Sequence, residues 1–87
     1  MEKTVPLRLP PIDMAATGRR IERLRTAAGI TVRQLQAAFG FNTPQAIYKW
    51  QRGDALPTLD NITILARVLD VRIEDIIVYE KGGDDRG

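Results

Sequence analysis

Thr31-Val-Arg-Gln-Leu-Gln-Ala-Ala-Phe-Gly-Phe-Asn-Thr-Pro-Gln-Ala-Ile-Tyr-Lys-Trp-Gln-Arg-Gly53 reads as two short helices joined by a tight turn, and the fold follows from that reading. Thr31 offers a hydroxyl to an orphan N–H at a helix start, and Val32, Leu35 and Phe39 follow at spacings of three and four, which places them on one helical face. Gly40 ends this helix, because the residue just past a helix terminus takes positive φ and glycine does so without a Cβ penalty. Phe41-Asn42 carries the chain round the corner. Thr43 is expected to cap the second helix, with Pro44 at its first helical position, where the missing N–H costs nothing and the fixed φ already suits a helix.

The second helix separates its faces. Ile47 and Trp50, with small Ala46 beside them, form an apolar stripe that must turn inward. Gln45, Tyr48, Lys49 and Arg52, at i, i+3, i+4 and i+7, share the other side. Two are cations, one is an amide able to pair bidentately with adenine, and one is a flat polar aromatic, a set suited to a DNA major groove. The stretch is therefore a helix-turn-helix candidate. An ordinary amphipathic helix with a solvated polar side is the competing reading.

Charge distribution bears on that choice. The 87 residues carry a net charge of only +2. Residues 14–53, however, hold Arg19, Arg20, Arg23, Arg25, Arg33, Lys49 and Arg52 against Glu22 alone, a net +6, whereas residues 54–87 sum to −4. Such polarity turns the basic half toward a polyanion and the acidic half away. Scattered solvated charge would not separate in this way.

Composition sets further bounds. A chain of this length, 44% hydrophobic and 28% charged, suits one small globular domain with no elaborate active-site cavity. With no Cys and no His, disulfides, thiolate or imidazole metal sites, Cys or His catalysis and histidine pH switching are all excluded, and no cofactor or metal is expected. No apolar run approaches a membrane span or a signal-peptide core, so a cytoplasmic protein is expected.

Outside the central stretch, Pro6, Pro10 and Pro11 deny residues 1–13 a continuous helix and predict a flexible arm. Helix one is expected from a cap at Asp13 to about Ala28, with Thr17, Ile21, Leu24 and Ala28 on one face. Gly18 costs that helix about 1 kcal/mol relative to alanine and implies the close approach of a neighbour or a phosphate. Pro57 and Thr58 introduce a fourth helix whose Leu59, Ile62, Leu65, Ala66 and Leu69 make an inward face. Asp70-Val71 turns the chain, and Ile73, Ile76 and Ile77 close the core from a last short helix. Any of Leu69, Ile77, Val78 and Tyr79 left uncovered would form a dimer patch. Residues 80–87, with paired glycines and alternating charge, read as a disordered tail, leaving 14–79 as the domain.

The blocks Gly18-Arg-Arg-Ile-Glu-Arg-Leu-Arg25, Ala28-Gly-Ile-Thr31, Ala46-Ile-Tyr-Lys-Trp-Gln-Arg-Gly53, Leu56-Pro-Thr-Leu-Asp-Asn-Ile-Thr-Ile-Leu-Ala66 and Val68-Leu-Asp-Val71, in that order, resemble the Cro/C1-type (XRE-like) helix-turn-helix family of DNA-binding regulators. The resemblance implies an all-α, lambda-repressor-like compact bundle of about five short helices, dimeric on DNA, with the third helix in the major groove. The chain departs from the family pattern in three places. The segment between Gly40 and Ile47 is one residue longer than the commonest form, which leaves the register of base-reading residues open. Gln36 stands where a small alanine is usual and is expected to lean outward or bond locally. Gln51 stands where a glutamate commonly pairs with an arginine at the position of Arg25.

Together these features point to sequence-specific binding of double-stranded DNA by a transcriptional regulator, acting as a repressor and binding as a homodimer. Gln45, Tyr48 and Lys49 are the expected base readers, and Arg19, Arg20, Arg23, Arg25, Thr31, Arg33, Thr43 and Arg52 the expected phosphate contacts. The alternative is a protein-binding module such as an antitoxin or adaptor, with Tyr48, Trp50 and Tyr79 as interface anchors. A catalytic role has least support, since Asp70, Glu74 and Asp75 come with no nucleophile–base pair, phosphate loop or ligand cluster.

Overall fold

The computed structural model describes residues 10–81, which form α1 (Met14–Ala27), α2 (Val32–Phe39), α3 (Gln45–Arg52), α4 (Leu59–Leu69) and α5 (Ile73–Ile76). Side-chain caps start three of these helices. Asp13 Oδ1 accepts from Ala16 N–H at 2.9 Å, Thr58 Oγ1 accepts from Asn61 N–H at 3.2 Å, and Thr31 and Gln34 exchange bonds in a capping box. α3 starts one residue later than its sequence suggests. Pro44, at φ −85° and ψ 5°, occupies the cap position itself, and the Thr43 hydroxyl reaches only the Gln45 N–H, at 3.4 Å. The longer turn absorbs Pro44 before regular helix geometry sets in.

Four helices end in the same way. A residue in the left-handed region follows each terminus, directly after α2, α3 and α4 and one residue beyond Ala28 after α1, and two backbone bonds fold back across the last turn, for example Gly53 N–H to Trp50 O and Asp54 N–H to Lys49 O. Glycine fills that place after α1, α2 and α3, but Asp70 fills it after α4, at φ 58°. A residue with a Cβ is disfavoured there, and its carboxylate faces the negative end of the α4 dipole.

Ile21, Leu35, Ile47, Trp50, Ile62, Leu65, Ala66, Leu69 and Ile76 make the core, so each of the five helices contributes to it. α1 packs closely on α3, and α2 and α5 pack on α4. The α1–α3 contact depends on Gly18. A Cβ there would run into Trp50 O and come within 2.6 Å of Gln51 O, so the close neighbour implied by this glycine is the backbone of α3. Gly53 closes the same contact from the other side, where an added Cβ would lie 2.7 Å from Ala15 Cα.

Several sequence expectations change. Ala28 is exposed as the α1 C-cap and does not line the core. Leu59, expected on the inward face of α4, is 79% exposed. Leu69 is buried in the core and leaves the expected dimer patch. The arm expected over residues 1–13 does not extend as far as Pro11: Asp13 N–H donates to Val78 O at 2.7 Å, Glu80 N–H donates to Pro11 O at 2.8 Å, and Ile12 pairs with Tyr79. The buried Thr17 hydroxyl fixes this pairing, accepting from Val78 N–H at 3.0 Å and lying 3.3 Å from Val78 O, to which it donates. The remainder of the arm and most of the tail, residues 1–9 and 82–87, lie outside the described residues.

Two substitutions test these close contacts, with opposite signs. Gly18→Ala is expected to destabilise the fold by about 1–3 kcal/mol, the usual cost of overpacking, despite alanine's better helix propensity. Asp70→Gly is expected to stabilise it by about 1 kcal/mol, a rise of about 4–8 °C in Tm for a domain of this size. Thermal and urea melts decide both, and a reversal of either sign would contradict the packing described.

Candidate nucleic-acid interface

α3 buries Ile47 and Trp50 and leaves Gln45, Tyr48, Lys49 and Arg52 exposed on one face, where the four line a single open hollow of about 330 Å³. The burial is driven by an aromatic cluster. Phe39 and Phe41 stack with ring centres 5.0 Å apart, and the Trp50 ring meets them edge-on at 5.4 and 6.0 Å. Phe41 lies in the longer turn, so the turn is packed against α3 by its own side chain. Gln36 Nε2 donates to Phe41 O at 3.1 Å, which satisfies the turn carbonyl and shows the local bonding expected of this amide. Because Trp50 is 4% exposed, it is part of the core and cannot anchor a protein interface.

The far end of α3 is clasped to α1. Arg25 Nε donates to Gln51 Oε1 at 2.9 Å and Arg25 Nη1 donates to Ile30 O at 2.8 Å. Hydrogen bonds from a charged donor contribute about 1.5–3 kcal/mol when partly buried, and this pair ties the α1 terminus, the α1–α2 connection and α3 together. Gln51 thus keeps the geometry of an ion pair while adding no negative charge near the exposed face.

The expected phosphate contacts divide into groups. Arg20 turns the other way, with Nη1 donating to Asp75 O at 2.9 Å, so it braces α5 and is removed from the candidate interface. Arg25 is committed to its clasp and is removed with it. Arg19 and Arg23 are exposed, but they border a separate hollow on α1 with Glu22, Thr26 and Ala27. Arg33, Thr31 and Thr43 are exposed along α2 and the turn. The backbone N–H groups of Thr31 and Gln34 are taken by the capping box, leaving the Thr31 hydroxyl proton free to donate outward. Arg52 Nε donates to Asp54 Oδ2 at 2.8 Å, an exposed ion pair that sequence reasoning missed. Its only sequence signal is an acid two residues beyond the arginine, across Gly53.

Among the described residues no group of acidic side chains could hold a metal ion, and no helix is long and apolar enough to cross a membrane. The site is a polar, cationic helix face mounted on a rigid three-helix support.

Comparison with solved structures finds the same fold in other proteins. The restriction-modification controller protein C.AhdI from Aeromonas hydrophila superposes with a TM-score of 0.66 at 30% sequence identity, over 74% of this chain and 96% of that one. The DNA-binding domain of BldD gives a TM-score of 0.64 at 17% identity, over 75% of this chain and 93% of that one. The clp gene regulator ClgR from C. glutamicum gives 0.64 at 21% identity, over 72% of this chain and 80% of that one. No curated protein sequence gives a significant match. The Helix-turn-helix family matches residues 21–76, which span the core from Ile21 to Ile76 and contain the whole of the α2–α3 unit. The chain therefore belongs to the helix-turn-helix family of Cro/C1 type and is a DNA-binding regulator of transcription.

Proposed function

We propose that the protein is a cytoplasmic repressor that reads a specific operator as a homodimer, with α3 in the major groove. The observation that carries this reading is the single exposed face on which Gln45, Tyr48 and Lys49 stand together. Gln45 suits the N6 and N7 edge of adenine, Lys49 the O6 and N7 edge of guanine, and Tyr48, 43% exposed, offers its ring to a thymine methyl. Arg33, Thr31 and Thr43 flank this face as phosphate contacts. Arg19 and Arg23 join them from α1, whose Ala15 abuts Gly53 one helical turn before Arg19. Repression would follow from occupancy of a promoter by the bound domain.

Dimerisation has a surface to use. Leu56, Leu59 and Ile77, with Pro57 and Ile12, line an apolar hollow of about 170 Å³, and exposed Tyr79 pairs with Ile12 at its edge. Two copies joined through this patch would present two α3 faces to half-sites about one helical turn apart. This patch keeps Ile77 and Tyr79 of the expected set and loses Leu69 to the core.

Selection from a randomised duplex pool, followed by affinity measurements on the winner and a scrambled duplex across a salt series, tests the reading. An inverted repeat is the expected product, with Gln45→Ala and Lys49→Ala each losing about 5- to 150-fold in discrimination while the salt slope is largely kept. Failure to enrich any motif, with equally weak binding to both duplexes, would overturn it in favour of a protein partner. Gln51→Glu is expected to tighten the Arg25 clasp yet weaken operator binding by up to about fivefold, because it places a new anion beside the phosphates. Equal or tighter binding by that variant would show that Arg25 and Gln51 do not influence the DNA.

A further inference from the structure

Arg52 differs from Lys49, the other cation of the α3 face, in being paired with a carboxylate. Its Nε donates to Asp54 Oδ2 at 2.8 Å. The Asp54 backbone is fixed independently of this bond. Its N–H donates to Lys49 O at 2.9 Å, and the preceding Gly53, at φ 81°, is wedged against Ala15 so closely that an added Cβ would lie 2.7 Å from Ala15 Cα. The carboxylate is thus carried on a held backbone and bonds only Arg52 among the described residues, while the guanidinium lines the same hollow as Gln45, Tyr48 and Lys49.

Two consequences follow from this geometry. A guanidinium has five N–H donors in a rigid plane, so engaging Nε on one edge orients the plane and leaves the paired Nη groups directed away from the carboxylate. That remaining edge matches the O6 and N7 acceptors of guanine. Electrostatically, the Arg52–Asp54 pair is neutral, so it releases no counterion on binding and contributes little to affinity for the phosphate backbone. A lone arginine would serve a phosphate better than one held beside an anion.

We infer that Arg52 is a guanine-reading residue oriented by Asp54, in place of the phosphate contact its sequence position suggests. The inference rests on the DNA-binding reading above and adds one specified base pair to the operator, on the side of the site toward the C-terminal end of α3. Asp54 touches no base. It acts as a positioning residue, and its carboxylate also disfavours any approach that leaves Arg52 unpaired, since the anion would then face the DNA.

The test uses the duplex enriched by the full chain, a scrambled duplex, and a set of duplexes in which each base pair of the enriched site is changed in turn. The double variant Arg52→Ala with Asp54→Ala keeps the net charge. It is expected to bind the scrambled duplex as the parent does, to keep the parent's salt slope, and to lose about 5- to 150-fold in discrimination at one G·C pair only. Asp54→Ala alone is expected to bind both duplexes more tightly and to discriminate less at that same pair. Equal weakening of the double variant on all duplexes would identify Arg52 as a phosphate contact and overturn the inference while leaving the DNA-binding reading intact. If the parent enriches no duplex, both readings fall. Circular dichroism and thermal melts of each variant confirm that losses do not arise from unfolding, as expected for two exposed side chains.

Discussion

The approach of α1 to α3 at Gly18 fixes everything the protein presents to a partner. With hydrogen in place of a side chain, Gly18 lets the last turn of α3 lie against α1 backbone to backbone, and Gly53 does the same for Ala15. Trp50 can then reach the core, where its ring meets Phe39 and Phe41. Once Trp50 and Ile47 are buried, helical periodicity leaves no freedom for Gln45, Tyr48, Lys49 and Arg52, which must face outward together. The exposed face is thus a consequence of the buried one.

The same constraint accounts for tolerance of an additional turn residue. A longer loop between α2 and α3 would loosen the angle between the helices if it were left unsupported. Here Phe41 stacks on Phe39 and its carbonyl accepts from Gln36, so the added length is filled with packed atoms. Pro44 then takes the cap position and holds the backbone rigid where α3 begins. The glutamine that replaces a usual alanine in α2 thereby acquires a structural role tied to the length of the turn. Arg25 completes the support from the opposite end of α3 by bonding both Gln51 and Ile30. A clasp without a carboxylate leaves the Arg25 charge uncompensated and preserves the positive potential near the exposed face of α3.

Local chemistry explains which features the sequence revealed. Asp13, Thr31 and Thr58 announce their caps through residue type and spacing, and Gly40 and Gly53 announce helix ends, because each signal involves neighbours within a few residues. The buried and exposed faces of α3 were legible for the same reason. Contacts between distant segments left no such trace. Nothing in the local pattern indicates that Thr17 would hold Val78, that Arg20 would turn toward the Asp75 carbonyl, or that Leu59, the first residue of α4, would stay exposed. The sorting of arginines into braces and free cations needed the three-dimensional arrangement, since Arg19, Arg20, Arg23 and Arg25 are chemically identical and differ only in the direction α1 gives them.

In the proposed complex a DNA duplex meets the outward face of α3 while the apolar hollow lined by Leu56, Leu59 and Ile77 is left for a second copy. Heteronuclear NMR shift mapping of the full chain titrated with its enriched duplex tests this most directly. The largest amide shifts are expected on Gln45–Arg52, with smaller ones at Thr31, Arg33 and Arg19, and Leu65 and Ile76 in the core are expected to stay unmoved. Shifts centred on Leu56, Leu59, Ile77 and Tyr79, with α3 unaffected, would overturn this arrangement and assign the recognition surface to the apolar hollow.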